Sequence, residues 1–149
     1  MTQTAASTYV YVTYIRTTVE RLWTVLTTPE LLRPSWYDMT LETDWKAGSP
    51  WLLRFPDGRV ADTGEVLEID PPRRLVLSWR NEFMPELKAE GFARCTLELE
   101  AVAGAVKLTV IHTMDRAGSL FIEKVAGGWP RILSNLKSYL ETGEVLLKP

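Results

Sequence analysis

The chain has 149 residues, 46% hydrophobic and 24% charged, the proportions of one folded domain with a sizeable core. Its net charge of −2 and scattered basic residues (only Arg73-Arg74 are adjacent) create no field for nucleic acid or anionic lipid. A single cysteine, Cys95, and a single histidine, His112, exclude an internal disulfide, a cysteine-built zinc site and any multi-histidine metal centre.

Residues 1–8 read as a flexible N-terminus, and MTQTAASTYV has no basic region followed by an apolar run, so no signal peptide is expected. Residues 9–16 (YVYVTYIR) are β-branched and aromatic and predict a first strand. Thr17 is placed as N-cap of a following helix, with Glu20 completing a capping box. Val19, Leu22, Trp23 and Leu26 give that helix one apolar stripe. Thr28-Pro29 starts a second short helix, with Leu31 and Leu32 on its buried side.

From about residue 38 to 114 the period changes to two, as in half-buried antiparallel strands. Met39 and Leu41; Trp51, Leu53 and Phe55; Leu75, Leu77 and Trp79; Cys95, Leu97 and Leu99; and Leu108, Val110, His112 and Met114 mark the inward positions. Pro56-Asp57-Gly58, Asp70-Pro71-Pro72 and Ala103-Gly104 supply turns. The strand over 60–69 has two readings: Leu67 and Ile69 inward with Glu65, or Val66 inward with Glu68, and a bulge at Gly64 would reconcile them. An inward glutamate there would be costly and therefore suggestive.

Phe121, Val125, Trp129, Ile132, Leu133, Leu136 and Leu140 form a helical stripe, with Gly143 as C-cap. Gly127-Gly128-Trp129-Pro130 predicts a kink or break within it. No stretch approaches the ~18 apolar residues that insert into a membrane. The fold class is α+β: a curved antiparallel sheet of about seven strands wrapped around a long C-terminal helix. Two short helices follow the first strand, all within one domain over 1–149. Such an arrangement encloses a cavity in which a ligand would bind.

The segments TVERLWTVLTTPELL (18–32), DWKAGSPW (44–51), GEVLEIDPPRRLVLSWR (64–80) and GGWPRILSNLKSYLETG (127–143) carry a family resemblance. They resemble the START-like, helix-grip superfamily called SRPBCC, in the branch of the Aha-type activators of the heat-shock chaperone ATPase. The resemblance covers nearly the whole chain in order. It implies a β-α-α-β6-α helix grip that binds apolar small molecules or lipids in its cavity.

The expected ligand-binding residues are Trp36, Tyr37, Trp51, Leu53, Phe55, Trp79, His112 and Met114, faced by Phe121, Val125, Trp129 and Leu133 from the helix. Six tryptophans bring large apolar area plus one donor each, a combination that orients a mostly apolar ligand and equally fills a core. Phe83, Met84 and Met114 sit near the expected open end. His112 is either an acid/base or polar anchor in the cavity or a core histidine with a structural bond. Cys95 reads as a small buried hydrophobe, Glu82, Glu86, Glu90, Glu98 and Glu100 as a solvated face, and no GxSxG elbow is present. No metal and no cofactor is expected.

Three functions follow as expectations. The first is a cytoplasmic carrier or sensor of an apolar or aromatic small molecule. The second is a cyclase-, aromatase- or hydrolase-like enzyme using His112. The third is a co-chaperone-like interaction module. An open sheet also leaves edges through which a homodimer could form.

Overall fold

The computed structural model describes residues 6–148. Its elements run β1 (Ser7–Ile15), α1 (Val19–Thr27), α2 (Pro29–Leu32), a 3₁₀ turn (Arg33–Trp36), then β2 (Thr40–Thr43), β3 (Pro50–Arg54), β4 (Val60–Asp70) and β5 (Arg74–Asn81). A short helix α3 (Pro85–Lys88), β6 (Ala93–Val102), β7 (Ala105–Met114) and α4 (Leu120–Thr142) complete the chain. The seven strands form one antiparallel sheet in the order β1-β7-β6-β5-β4-β3-β2. This is the expected α+β helix grip, with α3 as an addition that the sequence pattern does not announce.

Of the expected N-terminal tail, residues 1–5 lie outside the described residues, whereas Ser7 and Thr8 already pair with Met114 and Thr113. The cap of α1 is Thr18, one residue later than expected: its hydroxyl accepts from the Arg21 N–H, and Arg21, not Glu20, holds the position a capping box would need. Leu22, Val25 and Leu26 form its buried side. Pro29 opens α2 at its first turn, where a missing N–H costs nothing.

β2 to β7 form a meander, and β1 adds at the far edge beside β7. Inward positions of β6 and β7 (Cys95, Leu97, Leu99, Leu108, Val110, His112 and Met114) are all buried. The bulge expected at Gly64 lies elsewhere. Val66 pairs with Leu77 and Glu68 with Val76, so Leu67 is the extra residue, and a second irregularity leaves Ala61 extra against β3. Val66 is thereby the inward residue, and Glu65 and Glu68 both face solvent.

Gly64 has a different task. Trp51 donates its indole N–H to the Ser78 carbonyl at 2.9 Å, across the backbone of β4. A Cβ on Gly64 would stand 1.8 Å from that carbonyl oxygen and 2.5 Å from the indole nitrogen. Only glycine permits this close approach.

The C-terminal helix is one unbroken 23-residue element, so of the kink or break expected at 127–130 the break does not occur. Pro130 removes one hydrogen bond, to the Ala126 carbonyl, yet Trp129, Leu133, Leu136 and Leu140 are buried beyond or beside it. Burying that stripe outweighs one lost bond, since packing rather than propensity holds most protein helices. The first turn is capped twice. Ser119 accepts from the Ile122 N–H, and the Glu90 carboxylate accepts from the Ser119 hydroxyl and the Leu120 N–H. Glu90 is therefore a capping group, not part of a solvated face. Burial raises its pKa, but these donors outweigh burial and hold it below the usual range. At the other end Gly143, at φ 87°, closes the helix as expected. No helix among the described residues is long and apolar enough to cross a membrane.

Gly64→Ala is expected to destabilise the fold by about 2–3 kcal/mol or more, because Trp51 and Ser78 must separate to admit the methyl group. Urea unfolding measures this directly. A Gly64→Ala chain as stable as the parent would show that the strand relaxes around the extra carbon.

Candidate functional site

A cleft of about 320 Å³ lies between α4 and strands β3, β4 and β5. Eight expected residues line it: Trp36, Tyr37, Leu53, Phe55, Trp79, Phe121, Val125 and Trp129. The wall owes its shape to packed rings. Trp36 stacks on Trp79 at 6.1 Å between ring centres, and Trp129 meets Trp36 and Trp79 edge-on at 5.5 and 5.9 Å. Phe55 and Phe83 form an edge-to-face pair at 5.0 Å by the rim, with the Arg59 guanidinium over Phe55 and the Lys124 ammonium near Phe83.

Tyr37 enters from an unusual backbone. It and Asp38 both hold left-handed conformations, at φ 50° and 60°, where a bulky residue is strained. The strain turns the chain sharply out of the 3₁₀ segment and presents the Tyr37 ring to the cleft. Arg131 of α4 donates to its hydroxyl at 3.3 Å.

Four expected residues lie behind this wall, not on it. Trp51 packs edge-on against Trp79 at 4.6 Å and is held there by its bond to Ser78. Leu133 is one helical position past Ile132, which rotates it toward the sheet while Ile132 lines the cleft. Met114 is buried at the end of β7. His112 is covered by Trp79, Phe121 and Trp129, with ring centres 5.2 to 6.2 Å away.

His112 has one hydrogen-bond partner among the described residues. The Trp129 indole N–H donates to its Nδ1 at 3.1 Å, while Nε2 is buried without a partner. Since Nδ1 accepts, the single ring proton belongs on Nε2, facing aromatic surface. Burial pushes the His112 pKa down to about 3. Protonating Nδ1 would also set two donors against each other, so geometry and desolvation agree on a neutral ring. His112 braces the helix; it does not reach the cleft.

The cleft also contains Met39, Gly128 and Ile132, which the sequence pattern marks without assigning them to a ligand wall, and Asp62, Asn81 and Lys124, which it does not single out. Asp62 is the chemically distinctive one. It lies opposite Leu53 on β3 and Asn81 on β5, and is 9% exposed. Burial pushes its pKa up to about 7; the Trp79 side chain donating toward it opposes the rise, Glu82 adds to it and Lys124 reduces it. Counting back by two from the inward Val66, through Gly64, reaches Asp62, so the signal was present once the facing of β4 is known. Cys95 is fully buried, and burial raises its thiol pKa strongly, which leaves it inert. Among the described residues no group of three or more His, Cys, Asp or Glu side chains is arranged to hold a metal ion.

With this geometry in place, the chain can be set beside known proteins. The family model described as "Activator of Hsp90 ATPase homolog 1-like protein" matches residues 16–141. The chain belongs to that family. Solved structures similar to it share the fold at low identity. MLL2253 from Mesorhizobium loti is 21% identical with a TM-score of 0.79, over 93% of this chain and all of that one. The Aha1 dimer from Colwellia psychrerythraea is 19% identical with a TM-score of 0.75, over 92% and 98%. CalU16 from Micromonospora echinospora is 20% identical with a TM-score of 0.74, over 93% and 78%. No curated relative matches the chain. Identities this low establish a common fold and leave the chemistry of the cleft to be argued from its own residues.

Asp62 and His112 shift stability with pH in opposite senses. The folded chain keeps the Asp62 proton up to about pH 7, whereas the unfolded one releases it near the ordinary aspartate value of 3.8. The folded state therefore loses stability as pH rises between those values, by at most about 1.4 kcal/mol per unit. His112 does the reverse: the unfolded state takes up a proton near 6.5 and the folded state resists until about 3, so stability falls as pH drops through that window. Asp62→Asn removes the first effect alone. Its stability relative to the parent is expected to improve steadily from about pH 4 to pH 7, as read by urea unfolding at each pH. A difference that does not change with pH would place the Asp62 carboxyl in water.

Proposed function

We propose that this family member binds a small, largely apolar, aromatic molecule in the cleft between α4 and the sheet, as a carrier or sensor. One observation carries the reading. Gly128 lies in the middle of α4 on the cleft wall, and a Cβ added there would meet nothing within 4 Å. Glycine inside a helix costs roughly 0.5–1 kcal/mol relative to alanine, so the helix gives up stability at a position where the space beside it stays open. The aromatic wall and the strained Tyr37 backbone support the same reading, because strain of this kind concentrates at binding sites. Burial against such a wall stabilises a ligand by about 25 cal/mol per Å² of apolar surface. The volume lies at the lower end of the roughly 300–1,000 Å³ usual for small-molecule sites, which favours a compact ligand over a long acyl chain.

A cyclase-, aromatase- or hydrolase-like reaction through His112 gains no support from this geometry, since an acid/base group must reach the proton it transfers. An interaction role, of the kind the family description records, would use the outer surface. The exposed side chains of β1, Val10, Val12 and Tyr14, supply apolar area along a sheet edge that carries no charged side chain from Ser7 to Ile15. A second copy of the chain pairing there, as a two-fold dimer, is the partner we infer.

Gly128→Ala is expected to raise stability by about 0.5–1 kcal/mol, while Gly128→Phe fills the cleft and abolishes uptake of an apolar fluorescent probe such as anilinonaphthalene sulfonate. Unchanged probe binding by a folded Gly128→Phe chain would sink the cleft as the binding site. For the dimer, light scattering on the eluting peak should report twice the chain mass, falling to one chain when Val10 and Val12 are both changed to lysine. A parent chain that elutes as a monomer rules out the edge pairing.

A further inference from the structure

The apolar reading of the cleft leaves one wall residue unused. Asp62 places a carboxyl among aromatic and aliphatic carbon, and a buried polar group is costly to leave without a partner. Among the described residues it forms no ion pair: the Trp79 side chain donates toward it and leaves the rest of its acceptor capacity open, while Lys124 of α4 and Glu82 beyond β5 act on it from a distance and with opposite sign. The other groups around it are accounted for. Leu53 of β3 and Phe55 just beyond its end bring only apolar surface to the cleft. Tyr37 is engaged with Arg131, and His112 of β7 lies neutral behind Trp79 and Trp129. Asn81, directly across from Asp62, uses its Oδ1 to accept from the Phe83 and Met84 N–H groups, which orients its amide. The inner wall thus holds one acceptor group with unfilled capacity, at the base of an aromatic slot.

We propose that Asp62 is the polar anchor of the cleft, and that its ligand is an aromatic molecule ending in a hydrogen-bond donor, a hydroxyl or an amine N–H, seated against the Asp62 carboxyl. This deepens the binding reading and rests on it. A ligand without a donor would strip water from the carboxyl and return nothing, and a site built to hydrogen-bond rejects such analogues strongly. A carboxylate-ended ligand would bring a second acid against the first, so fatty acids fit poorly. Hydroxyl and amine share the donor chemistry and differ in charge. An ammonium gains most from the ionised carboxylate and from the faces of Trp36 and Trp79. Its affinity should therefore climb as pH passes through about 7, where Asp62 loses its proton. A hydroxyl should respond less.

The test is equilibrium dialysis of naphthylmethanol, naphthylmethylamine and methylnaphthalene against the full chain, Asp62→Leu and Asp62→Asn. On the parent chain at least one donor-ended probe is expected to bind about tenfold or more tightly than methylnaphthalene. Asp62→Leu should erase that preference while binding methylnaphthalene at least as well. Asp62→Asn should keep the alcohol and remove any rise in amine affinity between about pH 6 and pH 8. If Asp62→Leu does not fold, Asp62→Asn decides by itself: an amine pH dependence identical to the parent's overturns the anchor. Equal binding of all three probes by the parent also overturns it, and leaves the cleft as an apolar site. A preference that survives Asp62→Leu does the same. Failure of every probe to bind removes the cleft reading and the anchor together.

Discussion

One buried hydrogen bond sets the geometry on which the cleft depends: the Trp129 indole N–H donating to Nδ1 of His112. It ties the middle of α4 to the inner face of β7, and so fixes how deep the helix sits in the curl of the sheet. It also fixes the tautomer of His112 and keeps the ring neutral, which a fully buried position requires. With the indole held at its nitrogen, the rest of the Trp129 ring becomes a stationary wall. Trp36 and Trp79 then pack against that wall, and the aromatic side of the cleft follows.

Further along the same inner face, β3 contributes a second fixed point of the same kind. Trp51 reaches over Gly64 to the Ser78 carbonyl and presses its edge against Trp79. Trp79 is thus positioned from two directions, by a ring anchored on the helix side and by a ring anchored on the sheet. Tryptophan suits both places because it pairs a large apolar body with one donor that must be satisfied. The volume left over is bounded by Gly128 on the helix and by Asp62 and Asn81 on the strands. Packing therefore spends its precision on the walls and leaves the middle open.

Much of this was legible in the residues. Alternation marked the inward positions of β3, β5, β6 and β7, which are buried except for the half-buried Phe55 just past the end of the first, but left β4 with two readings. Pro29 and Gly143 marked a helix start and a helix end through their fixed backbone preferences. Of the eight expected residues that line the cleft, Leu53, Phe55, Trp79, Phe121, Val125 and Trp129 follow from periodic spacing, and Trp36 and Tyr37 from their place near loops. What misled was equally physical. Thr17 and Thr18 are both competent caps, and only the direction in which the chain leaves β1 chooses between them. Pro130 carries a strong local signal for a break, yet the apolar stripe on either side of it outweighs that signal. Glu90 looked solvated because nothing local shows that α4 will begin above it.

Periodicity by itself determined the α+β class, the inward face of each strand but β4 and the apolar stripe of the final helix, because those depend only on spacing along the chain. Tertiary structure alone decided which inward residues meet another side chain and which meet space. His112 and Asp62 show the difference: both face inward on strands, but α4 seats Trp129 over the first and passes the second with Gly128. No local property of either residue encodes that outcome. It depends on where the C-terminal helix comes to rest against the sheet.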